Sequence, residues 1–265
     1  MTEVVYPELS YTVQGAIFDT YNELRYFELS EEGWENALMI ALGDRGVSAQ
    51  RQVEYGLRYK DQPIGRFFVD IVVEDKLLLE LKAKGELLPI DVAQVITYLK
   101  VNGLRLGILV NFGGDKLEFK RVPNFISRRA AIQPSDSVTQ SADQLLYPEL
   151  TRELRAALYQ VHGELGPGFA HKHYRRATQV ELRLRGIPLK TKRELTFQFR
   201  GRPIETRKTR LLIVDDRVLL TPVAVGEVTP TLRGRLRQYL KLLGLNLGLV
   251  ANFHAVSLEI ETVRV

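Results

Sequence analysis

The chain has 265 residues, of which 45% are hydrophobic and 26% are charged, a composition typical of globular proteins and a length that suits two domains of modest size. It contains no cysteine, which excludes disulfides, thiolate zinc sites and cysteine nucleophiles. Its apolar runs are shorter than the roughly 18 residues that a membrane span needs, and its first residues lack the pattern of a signal peptide. We therefore expect a cytoplasmic protein that does not associate with membranes.

The net charge of +5 is divided unevenly along the chain. Residues 151–265 contain 21 Lys and Arg but only 10 Asp and Glu, a net charge of +11, which leaves −6 for residues 1–150. This asymmetry favours contact between the C-terminal half and a polyanion, above all nucleic acid. Attraction between the two halves is the alternative explanation.

Two segments of the chain are near copies of one another. "TYLKVNGLRLGILVNF" (97–112) and "QYLKLLGLNLGLVANF" (238–253) are identical at nine of sixteen positions, at an offset of 141. A repeat this long predicts two homologous domains, residues 1–125 and 146–265, which would imitate a homodimer within one chain. The Ser- and Gln-rich residues 126–145 between them have the composition of a linker.

Each copy has the same order of helix-like and strand-like segments. In the first copy, apolar periodicity predicts two helices, the second of which ends at Gly46. A helix that begins with Asp91 as its N-cap is predicted further along the chain. In chain order, the predicted elements are helices within 11–27 and 30–46, strands at 51–60, 66–73 and 76–83, a helix at 91–102, and strands at 105–112 and 116–122. The class is α/β, with helices flanking a small mixed sheet.

The strand-like segment "KLLLELKA" is apolar except for a carboxylate and an amine. Alternation along a strand places Glu80 and Lys82 on the same face, and a hairpin centred on Asp75 would put Asp70 opposite Glu80. Carboxylates about 5 Å apart repel one another, and buried ones must be paired, protonated or bound to metal. Oxygen ligands without His or Cys suit Mg²⁺ or Mn²⁺, beside which Lys82 could orient a water molecule. The alternative is a network of salt bridges without metal.

Two helices could bring further polar groups to this site. Gln94 and Tyr98 lie four residues apart on one helix face, where the amide could reach a water or a phosphate and the ring could stack on nucleic acid. Glu31, at the start of the second helix, could add a third carboxylate, with Glu28 and Glu32 as rivals. The structural alternatives are a surface glutamine, a core tyrosine and an acidic first helical turn.

These residues resemble the motifs of a known superfamily. Asp70 together with "ELK" (80–82) resembles the D…(D/E)xK core of the PD-(D/E)XK nucleases, and "QVITY" (94–98) is similar to the QxxxY helix of their exonuclease-like branch. The segment "LELKAKGELLPIDVAQVITYLKVNGLRLGILVNF" resembles the bacterial GxxExxY proteins, small domains assigned to that superfamily. The resemblance covers both copies nearly end to end.

The motif after which those proteins are named is divided between the copies. The second copy contains Gly168 and Tyr174 but has His171 where the motif has Glu, whereas the first copy has Glu31 at that position. His171 and His173 are expected at the surface or against substrate, because alternate residues of a helix diverge by about 200°. The resemblance implies that Asp70 and Glu80 of the first copy bind a divalent metal. It also implies a catalytic set of five residues: Asp70, Glu80, Lys82, Gln94 and Glu31.

The second copy lacks this site. The counterparts of Glu80, Lys82, Gln94 and Asp70 are, in that order, Thr221, Val223, Arg235, and either Arg210 or Leu211. Because the repeated fold does without these residues, their presence in the first copy favours a function over a structural salt bridge. The second copy is predicted to be catalytically inactive.

Basic residues are concentrated in the second copy, where they could follow a phosphate backbone. The candidate nucleic-acid-binding residues there are Lys208, Arg210, Arg233, Arg235 and Arg237. The sequence thus predicts a Mg²⁺- or Mn²⁺-dependent nuclease acting on nucleic acid, with DNA favoured over RNA and both left open, and with one active site in the first copy. A non-catalytic nucleic-acid-binding protein and a protein-interaction scaffold are the alternatives.

Overall fold

A computed structural model describes residues 5–124 and 146–265, so the predicted linker at 126–145 lies outside the described residues. The chain divides into two compact units. One is the first copy without residues 59–64, and the other combines those six residues with the second copy. Within the described ranges, no helix has both the length and the apolar character needed to cross a bilayer.

The described residues form six helices and ten strands. The first copy contains, in chain order, α1 (Pro7–Leu24), α2 (Glu31–Asp44), β1 (Ala49–Tyr59), β2 (Gln62–Val73), β3 (Leu77–Lys82), α3 (Pro89–Asn102), β4 (Leu106–Asn111) and β5 (Glu118–Pro123). The second copy repeats this order as α4 (Pro148–Leu165), α5 (His171–Leu184), β6 (Leu189–Phe199), β7 (Arg202–Val214), β8 (Val218–Val223), α6 (Pro230–Leu243), β9 (Leu247–Asn252) and β10 (Glu259–Arg264).

Each copy contains a five-stranded sheet, ordered β1-β2-β3-β4-β5 in the first copy and β10-β9-β8-β7-β6 in the second. The pairs β3–β4 and β8–β9 are parallel, because a helix (α3 or α6) returns the chain across the sheet between them. Their neighbours β2, β5, β7 and β10 pair antiparallel. The predicted fold class, helices flanking a small mixed sheet in each copy, is confirmed.

A stacked aromatic pair joins the second helix of each copy to its sheet. In the first copy, Trp34 of α2 stacks on Phe112 just after β4, with ring centroids 4.4 Å apart. In the second copy, Tyr174 of α5 stacks on Phe253 at the same centroid distance. Since an aromatic pair contributes about 0.5–1.5 kcal/mol beyond its buried area, this contact is a stabilising feature that both copies keep.

The helix α3 lies on the opposite sheet face, and its start differs from the prediction. The prediction of Asp91 as the N-cap was wrong, because Pro89 begins the helix, where its fixed φ and missing N–H suit the first turn. Asp91 instead accepts a hydrogen bond from the Leu88 N–H at 2.7 Å and pairs with Lys84 at 2.5 Å. The carboxylate therefore still satisfies the helix start, from inside the first turn.

A glycine in β4 permits α3 to approach the sheet closely. A Cβ atom at Gly107 would lie 2.5 Å from Cγ1 of Val95 and 3.7 Å from Cδ2 of Leu78. Leu78 and Glu80 share a strand face by alternation. Thus α3 covers the same sheet face that carries Glu80.

We expect Gly107→Ala to destabilise the protein by about 1–3 kcal/mol, because the β-branched Val95 is buried and cannot move away cheaply. The matched control is Gly248→Ala at the equivalent strand position of the second copy, where the nearest side-chain atom to the added Cβ is Leu240 Cδ1 at 3.5 Å. Denaturant unfolding of the full chain measures both effects. Equal losses for the two variants would contradict the close approach.

Candidate active site

Two acidic side chains meet where β2 pairs with β3. The hairpin register joins Val73 to Leu77 and Ile71 to Leu79, so that the next position along the ladder sets Asp70 beside Glu80. Asp70 Oδ2 accepts a hydrogen bond from the backbone N–H of Leu81 at 2.8 Å, which fixes the first carboxylate against β3. The register is the one that a turn centred on Asp75 requires.

Lys82 completes this cluster from the same strand face. Its Nζ donates to Glu80 Oε1 at 2.7 Å, and its side chain is 14% exposed whereas that of Glu80 is 3% exposed. The ammonium therefore lies at the mouth of the cluster and the carboxylate at its base.

The acidic groups of the cluster have raised pKa values. Burial and the neighbouring Asp70 raise the pKa of Glu80 to about 8. Burial also raises the pKa of Asp70, against the opposing effects of the Leu81 N–H and Lys82. Burial disfavours the Lys82 ammonium, but Glu80 and the other nearby carboxylates outweigh it, so the pKa of Lys82 lies above its usual value.

Among the described residues, the second carboxylate oxygen of Glu80 has no hydrogen-bond partner. Oε2 is buried and accepts no hydrogen bond from any described residue. A buried acceptor left in this way carries a desolvation penalty of about 1–3 kcal/mol, and more when it is charged. The orphaned oxygen is the strongest single indication that the cluster receives a ligand.

Glu31 reaches the same cluster from the N-terminus of α2. Its Oε1 accepts a hydrogen bond from the Ala83 N–H at 3.3 Å, and its charge raises the pKa values of Asp70 and Glu80. Its rival Glu32 instead pairs with Arg51, at 3.7 Å. The structure thus brings Glu31 to the cluster.

The cluster contains two further residues, Glu35 and Gln52, which the sequence did not lead us to expect. Glu35, 4% exposed, accepts from Gln52 Nε2 at 2.6 Å and pairs with Arg51 at 3.2 Å; burial and Asp70 raise the pKa of its carboxyl. Gln52 also hydrogen-bonds Asp70, which lowers the pKa of Asp70. The i,i+4 spacing of Glu31 and Glu35 on α2 was a signal that could have found Glu35.

Gln94 and Tyr98 share a face of α3, as their spacing predicted. Gln94 Nε2 donates to the Tyr98 hydroxyl at 2.9 Å, and the Tyr98 ring is tilted against Phe67 at a centroid distance of 4.7 Å. Within the described residues Gln94 makes no hydrogen bond to Asp70, Glu80 or Lys82. The structure therefore pairs Gln94 with Tyr98 and does not join it to the acidic cluster.

The chemistry of the cluster fits a small divalent cation. Among the described residues no three His, Cys, Asp or Glu side chains form a complete cage, but Mg²⁺ typically takes one or two carboxylates and keeps several waters. Asp70 and Glu80, with its orphaned oxygen, supply such a pair. If all groups are ionised, the acids of the cluster (Glu31, Glu35, Asp70 and Glu80) outnumber its cations (Lys82, and Arg51, which also pairs with Glu32), so a divalent cation would reduce its negative charge.

The second copy contains none of this acidic site. Its register joins Leu212 to Leu220 where the first copy joins Ile71 to Leu79, so the counterpart of Asp70 is Leu211 and not Arg210. The counterparts of Glu80 and Lys82 are Thr221 and Val223, and that of Glu35 is Arg175. Burial and the nearby Arg210 and Arg176 lower the pKa of Arg175. Guanidinium groups therefore converge in this copy, which suits an anion.

The predicted binding residues of the second copy differ in their availability. Arg233 is half-buried and makes a two-pronged ion pair with Glu261, at 2.7 and 2.9 Å. Arg235 and Arg237 are exposed, as are Lys208 and Arg210 on β7. Four of the five cations are therefore open to a ligand, and the fifth is already paired.

One histidine was misplaced by the prediction. His171 is exposed at the start of α5, but His173 is 2% exposed and lies edge-on to the Phe169 ring, with centroids 5.9 Å apart. The prediction of His173 as a surface or substrate contact was therefore wrong, because the alternate position faces the core side of the helix.

Sequence and structure comparisons place the chain among known proteins. The profile of the PD-(D/E)XK nuclease superfamily matches residues 7–122 and again residues 148–265. No curated protein matched the chain. A solved structure titled "Crystal structure of SSO0001" is 18% identical to this chain, with a TM-score of 0.28. The match covers 44% of this chain and 57% of that structure's chain, which is less than two thirds of its length.

In the presence of a chelator, we expect the free energy of unfolding to fall as pH rises from about 5 to 8. The folded pKa of Glu80 is about 8, above its unfolded value near 4.5, so in this window the folded chain holds a proton that the unfolded chain has lost. Raising the pH then favours unfolding. Glu80→Gln should remove a decline on the order of 2–4 kcal/mol.

The measurement is denaturant unfolding of the full chain at several pH values. The matched control is Glu86→Gln, which changes an exposed glutamate in the loop after β3 and should keep the parent pH profile. A Glu80→Gln variant with the same pH profile as the parent would contradict the buried, uncompensated carboxylate.

Proposed function

Because the chain belongs to the PD-(D/E)XK nuclease superfamily, we propose that it is a metal-dependent nuclease that hydrolyses phosphodiester bonds at the acidic cluster of its first copy. The observation that carries this proposal is the buried Glu80 carboxylate: one oxygen accepts from Lys82, and the other has no partner in the part of the chain that the structure describes. The second copy binds substrate in this proposal. The boundaries of the two domains, 1–125 and 146–265, are part of the same proposal.

Asp70 and Glu80 would hold the cation, Mg²⁺ or Mn²⁺, with Glu31 as a further acceptor at its edge. Bound there, a divalent cation neutralises charge on the phosphate and makes a coordinated water more acidic. The Leu81 N–H holds Asp70 in place, so that this ligand is oriented before anything binds. This preorganisation avoids part of the ordering cost of binding.

Lys82 would act on the substrate side of the cluster. Its ammonium lies nearer to solvent than Glu80 and is held by it, so that it can donate a hydrogen bond to the attacking water or to the negative charge that develops on the phosphate. Gln94 could provide a second hydrogen-bond donor if its amide released the Tyr98 hydroxyl and donated to the substrate instead. In this proposal Tyr98 supports the helix face from below.

The second copy would supply affinity without chemistry. Its Leu211, Thr221 and Val223 cannot ligate a hard cation as carboxylates do, whereas Arg175 and Arg210 approach one another as they would around a phosphate. The substrate is nucleic acid, for which DNA is the favoured form in this proposal. The GxxExxY proteins remain the family within the superfamily to which we assign the chain.

We expect Glu80→Gln and Lys82→Gln each to lower the rate of metal-dependent cleavage at least about a thousandfold, because each removes a group that acts on the reacting phosphate. Assays use single- and double-stranded DNA and RNA with Mg²⁺, with Mn²⁺ and with chelator. The control is Thr221→Val at the position of Glu80 in the second copy. A folded Glu80→Gln variant that cleaves at the parent rate would refute this site.

We expect the pair of changes Arg235→Gln and Arg237→Gln to flatten the dependence of log Kd on log salt by up to about two units, since each phosphate contact contributes about 0.9 on duplex DNA. Turnover at saturating substrate should hardly change. The matched pair in the first copy is Lys100→Gln with Lys116→Gln, two exposed cations. Equal slopes for the two double variants would mean that the charge asymmetry is not a binding surface.

A further inference from the structure

The hairpin formed by β6 and β7 extends beyond the sheet to which it belongs. β7 pairs with β8 only through Leu212–Val214, whereas its pairing with β6 continues to Phe199 and Arg202 at the far end. Residues 202–211 thus form a two-stranded ribbon with β6, about 30 Å long at the rise of a β-strand. Two-stranded ribbons bind in either groove of duplex DNA, and proteins that insert apolar side chains between base pairs do so from the minor groove.

The ribbon is strongly cationic, unlike its counterpart in the first copy. Residues 190–210 contain eight Lys and Arg against two Glu, a net charge of +6. The equivalent residues 50–69 contain four Lys and Arg against two Asp and Glu, a net charge of +2. Such a concentration of cations on an extended hairpin complements the charge of a phosphate backbone.

Most of these cations make no ion pair with a described residue. Among the described residues, Arg193, Arg202 and Lys208 are exposed and make no ion pair. One face of the ribbon is fully solvated, where the opposed Thr196 and Thr206 hydroxyls lie 3.0 Å apart. The ribbon is therefore both charged and accessible.

The far end of the ribbon carries two large apolar side chains in solvent. Phe199 is 62% exposed and Ile204 is 67% exposed. Tyr59 and Ile64 occupy the same two positions in the β1–β2 hairpin, and each is 1% exposed. The two hairpins thus share an apolar end, but only that of β6–β7 is uncovered. An arginine, Arg200, lies over the Phe199 ring at 5.2 Å and places a cation beside the apolar pair.

We propose that the β6–β7 ribbon lies in a groove of duplex DNA, with its cations on the phosphates and with Phe199 and Ile204 inserted between base pairs at its end. Apolar wedges of this kind unstack a base step and bend the duplex by about 20–90°. This inference rests on the proposed function and narrows its substrate to double-stranded DNA. In this proposal the cations of the ribbon provide the affinity for duplex DNA, and the wedge formed by Phe199 and Ile204 bends it.

The test measures binding and bending of a short duplex in chelator by the full-length chain, with a dye on each end of the DNA and 2-aminopurine at the central step. The unaltered chain should shorten the end-to-end distance and raise the 2-aminopurine fluorescence. Phe199→Ala with Ile204→Ala should abolish both signals and weaken duplex binding about tenfold. The matched control is Phe27→Ala with Ile40→Ala, side chains that are also 62% and 67% exposed, and it should behave as the parent.

Charge is tested separately. Arg193→Gln, Arg202→Gln and Lys208→Gln together should flatten the salt dependence of duplex binding by about two to three units. The control triple is Lys100→Gln, Lys116→Gln and Lys120→Gln, which are exposed cations of the first copy. A ribbon triple with the same slope as this control, or a wedge variant that bends DNA as the parent does, would overturn the inference.

The outcomes separate this inference from the proposed function. A chain that cleaves with Mg²⁺ but binds only single strands would refute the ribbon and leave the nuclease standing. A chain that bends duplex DNA through Phe199 and Ile204 but never cleaves with any metal would support the ribbon and refute the nuclease. Ribbon-dependent bending together with Glu80-dependent cleavage supports both.

Discussion

Burying the Glu80 carboxylate beside Asp70 imposes an electrostatic constraint on the whole first copy. Both acids lie on the adjoining strands of one hairpin, so neither can move away without loss of the β2–β3 register. Lys82, the Leu81 N–H and Gln52 each compensate part of the charge, yet one oxygen of Glu80 has no partner within residues 5–124 and 146–265. A protein selected only for stability would lose by keeping such a group, since apolar residues of similar volume cost less to bury.

The second copy shows that this constraint is not needed for the fold. It keeps the strand order, the parallel central pair and the stacked aromatic pair, while leucine, threonine and valine occupy the positions of the acid cluster. The carboxylates are therefore separable from folding, as are the residues of a binding or reaction site.

The sequence was enough to predict the fold class, the duplication and the register that opposes Asp70 to Glu80, because a short turn between two apolar strands leaves few alternatives. It was not enough for residues whose partners depend on packing between distant elements. Gln52 lies within β1 but has a positive φ of 51°, which breaks the regular alternation of side chains along that strand. Arg233 pairs with Glu261 on β10, 28 residues away, and no local sequence pattern predicts that pair.

The opposite charges of the two copies have a consequence for the order of events at the substrate. Without metal, the acidic cluster of the first copy does not attract a phosphate backbone, whereas Arg175, Arg210 and the β6–β7 ribbon do. Binding of nucleic acid should then depend on the second copy and proceed in chelator, and only hydrolysis should require the cation. In the proposed function, a single domain that carried both the acids and the affinity would need the metal for each step, whereas the duplication would let binding and hydrolysis depend on different copies.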